Sequence, residues 1–485
     1  MQRSLTVIHA LGMMLIMFSV TYILPICTSL IYQDGTLINF ILAMVITLAV
    51  GCLMWLLTRH NKGELSIRHG YLLVVMMWTT MPAFATLPLL LLINGLSLTD
   101  AYFETMSGMT TTGATVLTGL DALPPAINLW RHELSWLGGM GIIVLVVAIL
   151  PLLGIGGRQL YKAETPGPMK DATLAPRIAE TARNLWLVYF CITAACIVSL
   201  NMAGMSWLDA ICHAFTTVGL GGFSTHDASV GYFNSSMIEF VMIIFMLLSA
   251  MNFATHFLVW RKKTLALYLR DTESLSSIIL LLVSCLVIGT FLWWQGVYPS
   301  FWTALRYASF NLVSIAANCG FSSANYNLWP IFAPLWMLFL SCISASSGSA
   351  GSGIKMIRTL ILIKQAGREF LKLLHPAAVN PLKIGGRVVP DNIVFSVLGF
   401  IFLYFMSIVA LTFALVISGL DFVSAFSGII ACINNVGPAL GILGPASNYG
   451  ILSDFQTWVC TVAMLIGRLE IITVLIIFTP HFWQR

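Results

Sequence analysis

Charge is what this sequence has least of. Asp, Glu, Lys and Arg make 9% of its 485 residues, against about 25% in soluble domains. Hydrophobic residues make 58%, and the mean hydropathy is +0.91. A soluble globular fold is excluded, and a polytopic membrane protein is expected. Other absences narrow the chemistry. The ten cysteines contain no C-x-x-C pair and lie mostly in apolar runs, which argues against a zinc ribbon or disulfide frame and for packing. No Walker A or dinucleotide glycine signature occurs, so a regulating nucleotide has to bind elsewhere. "RHELSW" from Arg131 is not H-E-x-x-H, and no serine, histidine and acid set or paired carboxylates at membrane depth suggest an enzyme. The first apolar run begins at Ser4, lacks a small-residue cleavage site and is read as a retained span.

What the sequence has is apolar length. A crossing helix needs about 20 residues, and ten such runs lie near 5–32, 36–58, 70–96, 133–156, 183–204, 236–260, 274–296, 331–363, 392–419 and 456–479. With the N-terminus inside, 21 of the 24 Lys and Arg residues fall on inner segments, grouped at Arg3, Arg59 to Arg68, Arg158 to Arg183, Arg261 to Arg270, Lys355 to Arg387, and Arg485. Only Arg131 and Arg306 lie outside, and Arg468 lies within the last span. Both termini are therefore expected in the cytoplasm. The net charge of +5 belongs to the inner face, where anionic lipid is the plain partner and no nucleic acid is needed.

The outer segments carry a repeat. "DAYFETMSGMTTTGAT", "DAICHAFTTVGLGGFS", "YASFNLVSIAANCGFS" and "SAFSGIIACINNVGPA" align so that Gly113, Gly222, Gly320 and Gly437 coincide. Twelve residues earlier stand Ala101, Ala210, Ala308 and Ala425, preceded by Asp100, Asp209, Tyr307 and Ser424, three of them good helix N-caps. Each copy is too short to cross and is flanked by a span on either side. The chain thus divides into a hairpin, 1–66, and four span, re-entrant segment, span units at 67–160, 161–262, 263–388 and 389–485. A short helix that stops inside the membrane leaves its last carbonyls unpaired, which is tolerated only where they line water or protein. Four such ends should converge on a pore and favour a cation there. Residues such as Thr111, Thr112 and Gly113 then extend with their carbonyls toward the axis, the glycine permitting close approach.

Two further features are polar where lipid would be expected. The run 331–363 is too long for one crossing and contains "SASSGSAGSG", Ser344 to Gly353, so a break is expected there. It is either a small-residue packing face or an unwound gate beneath the pore. Arg468 and Glu470 lie deep in the last span, two positions apart and therefore on different faces. Arg468 either projects into the permeation path and holds the gate loop by its carbonyls, or forms an interhelical salt bridge. Asp121, His132, Glu133, His226 and Asp227 are read as outer-loop residues, solvated or drawing cations into a vestibule, and His213 and Glu104 as braces for helix packing.

The segments "TTTGAT", "GLGGFS", "NCGFSS" and "NNVGPA", with "WLGGMGIIVL", "RQLYKAETPGP", "GGFSTHDASVGYF" and "GRLEIITVLIIFTP", resemble the Trk/Ktr/HKT superfamily of potassium transporters over nearly the whole chain. Within it the chain resembles the bacterial TrkH/TrkG membrane subunits, TrkG in particular. The resemblance implies an all-α protein of four potassium-channel-like units around one pore, in a bacterial inner membrane. It implies ion-coordinating positions at Thr111, Thr112 and Gly113; Leu220, Gly221 and Gly222; Asn318, Cys319 and Gly320; and Asn435, Val436 and Gly437. Gly113 implies potassium preference, where a serine would go with sodium. A gate of Ser347, Gly348, Ser349, Ala350, Gly351, Ser352 and Gly353 with Arg468 is implied as well. So are homodimers and a separate cytosolic Rossmann-type, TrkA-like subunit that binds NAD and ATP and docks on Arg158 to Arg183 and Lys355 to Arg387. Channel-like and proton- or sodium-coupled flux are both open, and the alternative is a secondary transporter of another cation or small solute.

Overall fold

The computed structural model describes residues 2–60, 67–141, 178–377 and 380–484. Helices fill it, and the strands among the described residues are one short antiparallel pair, Lys383–Ile384 with Arg387–Val388. The expected 5–32 and 36–58 spans form a leading hairpin: α1 (Gln2–Ser19), continued through a 3-10 turn into α2 (Ile23–Tyr32), and α3 (Leu37–Thr58). Small residues let its two arms touch, since a Cβ at Gly12 would lie 2.9 Å from the Trp55 nitrogen. Phe18, Tyr22 and Phe40 surround Trp130, with the Tyr22 and Trp130 rings stacked at 4.6 Å, which docks the hairpin on the rest of the molecule. Ile38 and Leu57 on its outer side remain exposed, as a lipid-facing surface requires.

One arrangement then repeats four times: a long helix, a short helix, a tight loop and a second helix. The first set is α4 (Ile67–Leu92), α5 (Leu98–Met109) and α6 (Pro125–Trp136). The second is α7 (Ile178–Met202), α8 (Trp207–Gly219) and α9 (Ser236–Ala250), followed by α10 (Phe253–Lys262) and α11 (Ala266–Arg270). The third is α12 (Thr272–Trp294), α13 (Phe301–Ala316) and α14 (Phe332–Ile343), followed by α15 (Met356–Leu374). The fourth is α16 (Asp391–Ile417), α17 (Phe422–Ile433) and α18 (Asp454–Arg468), with α19 (Ile471–Leu475) and α20 (Pro480–Trp483) closing the described chain. Among the described residues six helices are long and apolar enough to cross a membrane, or up to eight if each of two bent pairs is one span.

Three expectations need correction. The caps of the short helices are Ser97, Ser206, Ser300 and Asp421, whose side chains accept from the backbone N–H of Asp100, Asp209, Thr303 and Ser424. A capping residue must be extended, as these are, so Asp100, Asp209 and Ser424 stand inside the first turn, and α13 begins a turn earlier than its counterparts. The runs 236–260 and 456–479 are not straight spans: α9 and α10 meet at 96°, and α18 meets the following helical segment at 113°. Asn252 caps the new helix by accepting from Ala254 N–H at 2.8 Å, and Glu470 takes a left-handed φ of 59°. Finally, the expected 133–156 span starts at Pro125, a favoured first helical residue, which buries Arg131, His132 and Glu133 rather than leaving them in an outer loop. Its residues 142–156 lie outside the described residues. The break expected within 331–363 is present, between Ile343 and Met356.

Candidate functional site

The four short helices end alike. Thr111, Leu220, Asn318 and Asn435 have left-handed φ values of 56°, 56°, 64° and 54°, and Gly113, Gly222, Gly320 and Gly437, two residues on, are left-handed too. Between them the N–H of Thr112, Gly221, Cys319 and Val436 reaches back to the carbonyl of Ser107, Thr216, Ser314 and Ala431, each at 2.8 Å. This is the Schellman closure of a helix C-terminus. The expected simple extended strand is therefore a tighter alternation, because each helix end must first be satisfied. A left-handed non-glycine residue costs about 1–3 kcal/mol, and asparagine tolerates it best, which suits Asn318 and Asn435.

The loops close into a cycle. A Cβ built at Gly113 would run into the Gly221 carbonyl oxygen, one at Gly222 into that of Cys319, one at Gly320 into that of Val436, and one at Gly437 into that of Thr112, 2.6 Å away. Each glycine thus faces the carbonyl preceding the glycine of the next unit, and the fourth returns to the first. The twelve predicted filter residues are brought together in one ring. Side chains tie each segment to the second helix of its own unit and to the next unit: Asn318 Nδ2 donates to the Ser341 and Asn434 carbonyls at 3.0 and 2.7 Å, and Asn435 Nδ2 to the Met464 carbonyl and Thr112 Oγ1 at 3.1 and 2.9 Å.

Outside the ring a vestibule is lined by Gly113, Gly222, Gly320 and Pro438 together with Arg131, His226 and Asp227. Arg131 is buried and pairs with Glu104 at 2.8 Å. His226 bonds Asp121 and stacks on Tyr232 with ring centroids 3.5 Å apart, while Asp227 accepts from Leu120 N–H. The His226 ring holds the Asp121 carboxyl below its ordinary range. Asp121, His226 and Asp227 are thus joined loop residues at the vestibule rim.

Below the ring lies the loop between α14 and α15. A Cβ at Gly351 would stand 3.4 Å from the Ala317 carbonyl and 3.5 Å from Asn318 Oδ1, and one at Gly353 3.2 Å from Asn434 Oδ1, so the loop abuts the third and fourth filter segments. Ser346 and Ala350 N–H donate to the Ala250 and Ser249 carbonyls, and Phe253 N–H to that of Gly348, tying the loop to the α9–α10 bend. Ser347 N–H donates to Glu273 at 2.6 Å, Ser349 Oγ to the Ser346 carbonyl, and Ser352 is buried.

Arg468 joins these parts: it donates to Thr111 Oγ1 at 3.1 Å, to the Ala350 carbonyl at 2.8 Å, and to the carbonyls of Gly138 and Gly139 in the turn after α6. Glu470 pairs with Arg358 on α15 at 2.9 Å, and that guanidinium lies over Phe400, 3.9 Å from the ring centroid. Lys355 and Arg358 are buried and so are removed from the expected docking surface, while residues 158–177 of the other expected surface lie outside the described residues. Sequence reasoning missed Glu273, which holds the loop between α14 and α15, and Tyr449, whose hydroxyl donates to the Gly437 carbonyl at 2.7 Å. An acid opening an apolar span was the available signal for the first; nothing marked the second.

Residues 36–485 match the family described as TrkH, cation transport protein. The chain is 45% identical over 480 residues to the Trk system potassium uptake protein TrkH of Halomonas elongata, covering 99% of both chains. It is 39% identical over 483 residues to TrkG of Escherichia coli K12, covering 99% of this chain and 98% of that one. The chain is therefore more similar to that TrkH than to this TrkG, which corrects the expected leaning. The crystal structure of the potassium transporter TrkH from Vibrio parahaemolyticus superposes with a TM-score of 0.90 at 42% identity, covering 99% of this chain and all of that one.

Proposed function

The chain belongs to the TrkH family of cation transport proteins, and from that premise we propose that it takes up potassium across the bacterial inner membrane through the glycine-centred ring. Backbone carbonyls of Thr111, Thr112 and Gly113, Leu220, Gly221 and Gly222, Asn318, Cys319 and Gly320, and Asn435, Val436 and Gly437 replace the ion's hydration shell. The C-terminal ends of α5, α8, α13 and α17 favour positive charge there. The observation carrying this reading is the closed cycle of glycine and carbonyl contacts, which needs all four units and holds backbone oxygens in its closest approaches. Relatives named as potassium uptake proteins and a potassium transporter support the same cargo.

The loop from Ser347 to Gly353 is the gate, with Arg468 as its latch. Arg468 bonds the loop, the first filter and the turn after α6 at once, so releasing it frees three parts of the pathway. A separate cytosolic nucleotide-binding subunit, NAD or ATP in its Rossmann-type domains, works this gate from the inner side, where Arg261, Lys262 and Lys263 are exposed at the C-terminal end of α10. The chain pairs as a homodimer, both termini are cytoplasmic, and the four pore units follow the boundaries 67–160, 161–262, 263–388 and 389–485.

The test is ion uptake in cells stripped of other potassium systems, comparing the intact protein with Gly113→Ser in the presence of the cytosolic subunit. A serine Cβ meets the Gly221 carbonyl at a residue with φ of 75°. Potassium uptake should fall about tenfold or turn toward sodium. No potassium uptake by the well-expressed intact protein, or a variant that behaves as its parent, overturns the conduction reading and returns the secondary-transporter alternative.

A further inference from the structure

One position recurs behind the filters. Nine residues before the four glycines stand Glu104, His213, Asn311 and Gly428. The first three are buried, and each reaches the extended segment that leaves its own filter. Glu104 accepts from Thr115 Oγ1 and Val116 N–H, each at 3.0 Å; the His213 Nε2 and Ser224 Oγ lie 2.9 Å apart; Asn311 accepts from Ser323 N–H and donates to its Oγ, both at 3.1 Å. The fourth unit lacks a side chain there and uses Ser427 Oγ, which accepts from Leu440 N–H at 3.0 Å.

The braces differ in chemistry. Glu104 is joined by Arg131 Nε at 2.8 Å, and Arg131 also reaches the Ser224 carbonyl at 3.4 Å and lies 4.5 Å from the Phe223 ring centroid. This ion pair therefore links the segments leaving the first and second filters. Charge-assisted hydrogen bonds are stronger than neutral ones, so the first unit is held most firmly. We propose that Glu104 is a specificity-determining positioning residue. Through Thr115 and Val116 it resists movement of the Gly113 segment, and so contraction of the ring around an ion smaller than potassium. The proposal rests on the conduction reading above.

The test uses the full chain with its cytosolic subunit and measures the sodium-to-potassium uptake ratio and the KM for potassium, per molecule in the membrane. Glu104→Gln keeps the shape and removes the charge; Thr115→Val keeps the Glu104–Arg131 pair and removes the hydroxyl. Both should raise the ratio, Glu104→Gln by about tenfold and Thr115→Val by less, with KM rising. If Glu104→Gln fails to reach the membrane, Thr115→Val decides alone. Parental ratio and KM in the variants that reach the membrane, while Gly113→Ser shifts the ratio, overturn the brace and spare the conduction reading. No shift in Gly113→Ser either means that the conduction reading has failed, and the brace with it.

Discussion

Asp34 shows how much one carboxylate can hold. It lies in the turn between the two arms of the hairpin, accepts from Ser29 Oγ and from both donors of Thr36, and with its other oxygen accepts from Ala126 N–H at 2.9 Å. Pro124 offers no capping side chain to α6, so a residue far away in sequence supplies the cap. Partial burial raises its proton affinity, but these bonds outweigh burial and leave the pKa lowered. A carboxyl held low in the folded state adds stability that is present above its unfolded pKa, about 3.9, and is lost as pH falls through the lower folded value. Asp34→Asn should therefore lower the melting temperature of the detergent-solubilised protein at neutral pH, with the gap to the parent closing below about pH 4. The four glycines of the ring were legible as residues, because their spacing repeats. Asp34 and Tyr449 were not: Asp34 acts on a backbone N–H 92 residues away, and Tyr449 reaches the Gly437 carbonyl across a loop with no motif of its own.

Broken helices are the recurring element. A π turn follows α6, sharp bends follow α9 and α18, and twelve residues separate α14 from α15. The break between α14 and α15 was legible because its span was too long and rich in serine and glycine. The bends at Asn252 and Glu470 were not, since a few polar residues in an apolar run of ordinary length leave it long and apolar enough to read as one span. That difference changes the meaning of Arg468: at the end of a helix, and not in its middle, its guanidinium can serve three segments. Arg468→Ala should raise potassium leak severalfold in cells lacking the cytosolic subunit, with the sodium-to-potassium ratio unchanged, measured by rubidium flux. Arg468→Lys should restore closure only in part, because a single ammonium lacks the planar fork. Poor membrane abundance with normal closure would identify a structural role instead.

At the scale of the molecule, the all-α class and the fourfold repeat were readable, since both are matters of composition and spacing. How the units meet was not, because the contacts pair residues from different repeats. Orientation can be tested directly: a reporter fused after Arg485 should be active only when it is of a kind that works in the cytoplasm, and a periplasmic phosphatase fused there should be silent. The ring of glycines and carbonyls has a further property. Because Gly113 leans on unit two, Gly222 on unit three, Gly320 on unit four and Gly437 on unit one, the cycle has a handedness. Bulk added at one of these glycines pushes first on the next unit and not on the one before it. In a ring of four identical chains any substitution strikes all four quarters together; here a single change perturbs one junction and leaves the other three in place.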